Sequence, residues 1–505
     1  MHKLFRFSQI AILTICLVSL LPISGLCQAQ TREQLEEKID QRITDADLGS
    51  PGISILVQAS DTGCILYDRN AKKALKPASC NKIHTGAAAL YYLGKDFRYK
   101  TPLYITGRIK GKILQGDLVV KGSGDPTISG RFGKDKMDLV YIFRNWAKAL
   151  KKLGIHKIEG NIIGDDDYFD DDYFGMGWPS KERGEWYCAE ISALSFNDNC
   201  VDVHWTGAKR SGKPASYKLN PKTPYIKFLN QVVTGEKGSQ KRSNFIRKDK
   251  MNVVIGRGSV PVKEKMTDWC SVYNPTLYFV TILKQTLEEE GLKVLGVPVD
   301  LDNHPAKKKT LQKDQPTTIV ATYESPPLMT ILDILHSHSQ NFYAEQLIKT
   351  LGRRVKEEGS FSAGAKAIEE FLRKERLWEN GCVIVDGSGL SYLNRVSPTQ
   401  LVNILRYIRK KSYWKDYLNT FSRGQTKGHL RDSFAEGPEQ KRVAPRIYGK
   451  RGYIGGVVGL TGVVYNEEGK EIFYSILING YNAPLQKVRK LANSIAFELA
   501  RSRLP

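Results

Sequence analysis

Three short groups of residues hold the reactive potential of this chain. Ser79-Cys80-Asn81-Lys82 sets a hydroxyl and an amine three residues apart, on one helical face and one turn from each other. A lysine held where charge is disfavoured gives up its proton more easily and can then take the serine's. A helix beginning at that point adds a field that favours developing negative charge. Ser339-Gln340-Asn341 supplies a second hydroxyl and an amide that both donates and accepts. Lys450-Arg451-Gly452 supplies two cations and a glycine ahead of a β run. The first two groups taken alone have an everyday reading: two common residues at a fixed spacing recur by chance, and Ser339 or Asn341 can cap a helix.

The elements that must position these groups come from both ends of the chain. Residues 31–46 form an amphipathic helix. Gly52–Val57 and Cys64–Tyr67 form a hairpin around Asp61-Thr62-Gly63. Pro77 then opens the Ser79 segment, and Ile83–Leu93 continues as a helix whose Ala87-Ala88-Ala89 permits close packing. Helical patterns return at Pro327–Ser337, Asn341–Arg354, Gly364–Glu375 and Thr399–Lys411. A β run over Gly452–Val464, a second over Lys470–Leu477 and a C-terminal helix at Pro484–Arg503 close the chain. Between the two ends the flavour is β, with short runs such as Thr101–Ile105, Gly116–Val120 and Val253–Ile255, two helices at Asp138–Leu153 and Pro275–Glu290, and a polar loop at Gly235–Lys250. The economical organisation is one domain built from residues 30–94 and 319–505, with a β-rich insertion of one or two accessory domains over 95–318.

Composition bounds the rest. At 505 residues, 41% hydrophobic and 26% charged, the chain has ample material for a core. Residues 1–29 run from basic (Lys3, Arg6) through apolar (Ile10–Ile23) to small residues ending at Ala29, the order of a secretory signal. Export sets the +23 net charge against wall polymers and membrane surfaces rather than nucleic acid. A peripheral membrane contact and the oligomeric state both stay open. Cys64, Cys80, Cys188, Cys200, Cys270 and Cys382 remain after the leader, with Cys188–Cys200 the pairing to test. None has zinc-site spacing, and no cofactor is called for.

The three groups, in this order, match the S-x-x-K, S-x-N and K-T-G set of penicillin-binding proteins and β-lactamases, with an altered third member. Other stretches extend the likeness: Lys76–Leu90, Gly122–Thr127, Ile158–Asn161, Ile191–Asn199, Glu324–Leu328, Asn341–Glu345, Val385–Ser391 and Asn394–Pro398. On these residues the sequence resembles the D-alanyl-D-alanine carboxypeptidase/endopeptidase family, low-molecular-mass penicillin-binding proteins with a large insertion between the first two motifs. The resemblance implies an α/β (α+β) transpeptidase/β-lactamase-like fold, an antiparallel sheet flanked by helices. It implies an enzyme of the cell envelope or periplasm that acts on peptidoglycan stem peptides and is covalently inhibited by β-lactams. Ser79 would be the nucleophile, Lys82 its base, and Ser339 the proton relay. Asn341, Lys450, Arg451, Gly452 and Tyr453 would bind substrate, with the backbone N–H groups of Ser79 and Tyr453 forming the oxyanion hole.

Arg451 stands where the family has threonine, and Tyr453 and Gly455 also depart from its pattern. The alternative is therefore a catalytically impaired homologue that binds wall peptide through a cleft Arg451 has narrowed. Asp165–Asp167 and Asp170–Asp172 read as a solvated acidic loop, and the resemblance would let Asp172 attract an amine on the stem peptide. His84, His336 and His338 raise a Ser-His-Asp arrangement, but no G-x-S-x-G elbow accompanies them.

Overall fold

The computed structural model describes residues 31–303 and 317–504. The leader expected over 1–29 lies outside the described residues. A six-stranded sheet runs in the order Ser422–Arg423, Ile447–Ile454, Val457–Tyr465, Glu471–Asn479, Gly52–Ala59, Ile65–Arg69, and every neighbouring pair is antiparallel. Period-2 alternation buries both faces. Ile53, Ile55 and Val57 pair with Ile478, Ile476 and Tyr474 on one face, where the helices Arg32–Asp45 and Leu485–Arg501 supply Leu35, Ile39, Val488 and Ile495. Leu56, Phe473 and Leu477 point the other way, into a core shared with the remaining helices.

The helix Lys82–Leu93 lies inside that second core. Ala87, Ala88 and Ala89 are fully enclosed, and a Cβ on Gly86 would stand 3.0 Å from the His336 ring. Small side chains let Leu328–Ser337, Asn341–Lys356, Phe361–Lys374 and Pro398–Arg409 surround it closely. These are the helices that bring the Ser79 and Ser339 groups together.

The intervening chain has its own core, built around Phe143, Trp146, Phe196, Tyr278 and Phe279. Its largest sheet orders Pro298–Asp300, Ile162–Asp165, Leu118–Lys121, Lys100–Thr106 and Thr317–Glu324. The last strand crosses the 318/319 division expected from the sequence and pairs with Lys100–Thr106.

Other expectations change. The stretch 235–250 is not simply a loop: Arg242–Arg247 is a strand paired with Val253–Pro261. The run Gly452–Val464 is two strands, joined where Ile454 pairs with Val457 across Gly455-Gly456, a two-residue hairpin that glycines permit. Asp165 and Asp166 are buried rather than solvated, and Asp166, Asp300 and Asp302 bring carboxylate oxygens within 4.8 Å of one another. Cys188 and Cys200 are not bonded; all six described cysteines are free, and only Cys64 is exposed.

Candidate active site

Ser79 sits in a 3-10 turn, Ala78–Asn81, that runs directly into the helix Lys82–Leu93. Lys82 Nζ lies 2.9 Å from Ser79 Oγ, 2.7 Å from Asn341 Oδ1 and 3.0 Å from the Ser388 carbonyl. Two of these neighbours can only accept, and the third is a hydroxyl that can donate. A neutral amine has two hydrogens and one lone pair. It satisfies both acceptors and turns its lone pair to the Ser79 hydroxyl. Burial pushes Lys82 down to about 7, against the nearby Glu345 and Asp386 carboxylates, which act to raise it.

Glu345 follows Asn341 by one helical turn and is fully buried. Burial pushes its carboxyl up, with the Asp386 charge adding to the effect. The Gly387 and Ser388 N–H groups, each at 2.8 Å, bind both its oxygens and act against that rise. Glu345 thereby fixes the loop whose Ser388 carbonyl touches Lys82. Asn81 and Thr85 bind the Asp386 and Gly387 carbonyls of the same loop.

The second hydroxyl does not cap a helix. Gln340 is the N-cap of Asn341–Lys356, without a side-chain bond. Lys450 Nζ donates to Ser339 Oγ at 2.7 Å and to the Arg451 carbonyl at 2.8 Å. Burial, then the Lys82 charge, holds Lys450 well below the usual lysine range. Ala78 and Ser339 both have left-handed φ, +46° and +56°, each a conformation costing roughly 1–3 kcal/mol for a non-glycine residue. The glycines explain themselves by approach. A Cβ on Gly452 would stand 2.7 Å from the Pro77 carbonyl and 3.0 Å from Ser79 N, and one on Gly389 would stand 1.9 Å from the Ala78 carbonyl.

Residues between the two serine groups supply the opposite wall. Asn341 Nδ2 donates to the Tyr187 carbonyl at 2.8 Å, Gln340 to Asp198 at 2.8 Å and Gln346 to the Ser192 carbonyl at 2.9 Å. Trp178 Nε1 reaches Asp386 at 2.9 Å. The resulting cleft, about 510 Å³, is lined by Ser79, Ser339 and Asn341 with Glu182, Trp186, Tyr187, Tyr392, Arg451, Tyr453 and Arg489 among others. Arg451 does not fill it. Its Nη2 turns to Asn493 Oδ1 at 2.7 Å and Ser433 Oγ at 3.2 Å.

Several residues stand apart from this chemistry. His84 and His336 are buried, pushed down to about 4 and about 3 mainly by burial. They bond to Gln400 and Thr420 rather than to Ser79. His338 does line the cleft. Asp172 is not among the lining residues, and its carbonyl binds the buried Lys349. Tyr187, Glu182 and Arg489 escape sequence reasoning. Glu345 and Ser388 lie in stretches that carry the family likeness, yet no role for either follows from the sequence.

The sequence model of the D-Ala-D-Ala carboxypeptidase 3 (S13) family matches residues 35–498. A D-alanyl-D-alanine carboxypeptidase of Actinomadura sp. is 29% identical over 467 residues, covering 89% of this chain and 82% of that one. The D-alanyl-D-alanine carboxypeptidase DacB of Haemophilus influenzae is 26% identical over 444 residues, covering 86% and 87%. The crystal structure of penicillin binding protein 4 from Haemophilus influenzae matches the fold with a TM-score of 0.74 at 23% identity, over 92% of this chain and 97% of that one.

Proposed function

The chain belongs to the D-Ala-D-Ala carboxypeptidase 3 (S13) family, and from that premise we propose that it hydrolyses peptidoglycan stem peptides through an acyl-enzyme on Ser79. It is a serine-type D-Ala-D-Ala carboxypeptidase and a penicillin-binding protein, and the same chemistry serves endopeptidase cleavage of cross-linked peptides. The observation that carries the reading is Lys82 Nζ, 2.9 Å from Ser79 Oγ and also in contact with two groups that only accept, Asn341 Oδ1 at 2.7 Å and the Ser388 carbonyl at 3.0 Å.

Lys82 takes the Ser79 proton as Oγ attacks the carbonyl of the penultimate D-Ala. The Ser79 and Tyr453 N–H groups receive the oxyanion, a contribution for which one lost donor costs about 10²–10³ in rate. Ser339, polarised by Lys450, passes a proton to the leaving amine, and Asn341 holds the substrate amide with the second hydrogen of Nδ2. The proton Lys82 took replaces the one Ser339 gave, so Lys82 is neutral again when water attacks the acyl-enzyme; it accepts the water proton and returns it to Ser79 Oγ, which is regenerated. Residues 95–318 act as an accessory insertion that walls the cleft. The leader delivers the protein to the cell envelope or periplasm.

The open cleft beside Arg451 favours this over an impaired binding homologue. A fluorescent penicillin tests the choice. Covalent label on the protein lacking residues 1–29, absent from Ser79→Ala, is the expected result. Wall-peptide binding with neither label nor D-Ala release would establish the impaired homologue instead.

A further inference from the structure

The turn that carries Ser339 and Asn341 is held from outside its own helix. Ser339 has a left-handed φ of +56°, and Gln340, the N-cap, makes no side-chain bond to the helix it opens. Gln340 Nε2 donates instead to Asp198 Oδ2 at 2.8 Å. The same oxygen accepts from Arg131 Nη2 at 2.7 Å. Arg131 in turn lies 5.9 Å from the centroid of the Tyr343 ring, two residues beyond Asn341. Asp198, Arg131 and Gln340 are not among the residues that line the cleft, so none of them meets substrate.

The segment around Asp198 is built to present that carboxylate. Asn197, Asp198 and Asn199 have φ of +49°, +54° and +56°, three left-handed residues in a row and none of them glycine. Such backbone persists only where the surroundings over-determine it. The two asparagines brace the segment itself. Asn197 Nδ2 donates to Asp202 at 2.8 Å and to the Cys200 carbonyl at 3.1 Å. Asn199 Nδ2 donates to the Glu190 carbonyl at 2.8 Å and to Ser195 Oγ at 3.0 Å. Asp198, between them, turns its side chain outward to a cation and to Gln340. Burial raises its carboxyl, and the Arg131 charge opposes the rise. A carboxylate pinned by Arg131 is a fixed acceptor, and Gln340 is what it fixes.

Gln340 stands between two groups whose distances set the chemistry. Ser339 Oγ meets Lys450 Nζ at 2.7 Å, and Asn341 Oδ1 meets Lys82 Nζ at 2.7 Å. Adjacent residues share rigid peptide planes, so a shift of Gln340 moves both. A misplacement of about 1 Å at a reacting group can cost about 100-fold in rate.

We infer that Asp198, pinned by Arg131, is a positioning residue that acts through Gln340 to hold Ser339 and Asn341 in place against Lys450 and Lys82. The inference rests on the proposed peptidase reading. It makes the chain between the two serine groups a determinant of rate as well as a wall of the cleft.

The test is a double-mutant cycle on the rate of labelling by a fluorescent penicillin, beside kcat and KM for a peptide ending in D-Ala-D-Ala. Asp198→Ala and Gln340→Ala should each lower the labelling rate and kcat by roughly 10- to 100-fold, with KM little changed. Both break the same link, so the double variant should be no slower than the slower single one. Asp198→Asn keeps an acceptor for Gln340 and should recover much of the rate, a rescue that general loosening would not show. Thermal unfolding checks that each variant is folded. If Asp198→Ala is not, Gln340→Met, which removes the donor and keeps the bulk, carries the comparison. Full rate in Asp198→Ala or Gln340→Met, or losses that simply multiply in the double variant, overturns the inference alone. Unaltered protein that neither takes label nor releases D-Ala would overturn the peptidase reading, and this inference with it.

Discussion

Acylation should follow the ionisation of Lys82. An ordinary lysine, titrating near 10.5, is neutral in about one molecule in 3,000 at pH 7. Burial brings Lys82 to about 7, so about half the molecules hold the neutral amine at that pH and about one in a hundred at pH 5. The rate of covalent labelling by a fluorescent penicillin, measured from pH 5 to pH 9, should therefore rise about tenfold per unit below 7 and level off above it. Glu345→Gln supplies the second perturbation. The Glu345 charge acts to raise Lys82, so its removal should move the midpoint to lower pH. The variant also turns an amide NH₂ toward an N–H group of Gly387 or Ser388, a lost acceptor worth about 1–3 kcal/mol of stability. The lowered lysine has a further sign. Between about 7 and 10.5 the unfolded chain binds more protons at this group than the folded one, so its contribution to stability rises with pH over that window. A labelling rate flat from pH 5 to 9, or still climbing tenfold per unit at pH 9, would refute the assignment of Lys82 as the base.

Two substitutions probe the frame around the site. Gly389→Ala puts a Cβ 1.9 Å from the Ala78 carbonyl at a φ of +82°, so labelling should slow. Stability should fall by more than the roughly 1–2 kcal/mol the φ alone costs, as read by denaturant titration. Glu190→Ala strands Arg247, its 2.7 Å partner, where both side chains are 2% exposed; denaturant unfolding should report a loss of about 3–5 kcal/mol.

How much of this was legible in the sequence depended on whether the signal was local. Ser79 and Lys82 are legible because helical spacing sets them side by side and the Ser339 and Lys450 groups follow them in the expected order. The sheet and its flanking helices were readable from the short β runs around Asp61-Thr62-Gly63 and from the C-terminal helix. The strand Arg242–Arg247 was hidden because Arg247, which looks like a solvent residue, is buried by pairing with Glu190. Asp165 and Asp166 misled in the same way, as polar residues under cover. Tyr187 enters the site through its carbonyl, which no side-chain motif encodes. Arg489 reaches the cleft from a helix near the C-terminus, and nothing short of the packed fold relates it to Arg451.

The strand Gly52–Ala59, one in from the edge of the six-stranded sheet, has a hydrogen-bonding partner, Glu471–Asn479, near the far end of the polypeptide. A ribosome therefore releases almost the whole chain before that sheet can close, while the intervening part, with a core of its own, can collapse earlier. Closing so distant a contact is entropically slow, and Lys450 cannot meet Ser339 until it happens. Catalytic competence is thereby the last thing the chain acquires. A truncated or half-made molecule, however well its front half folds, carries a serine that can cut nothing.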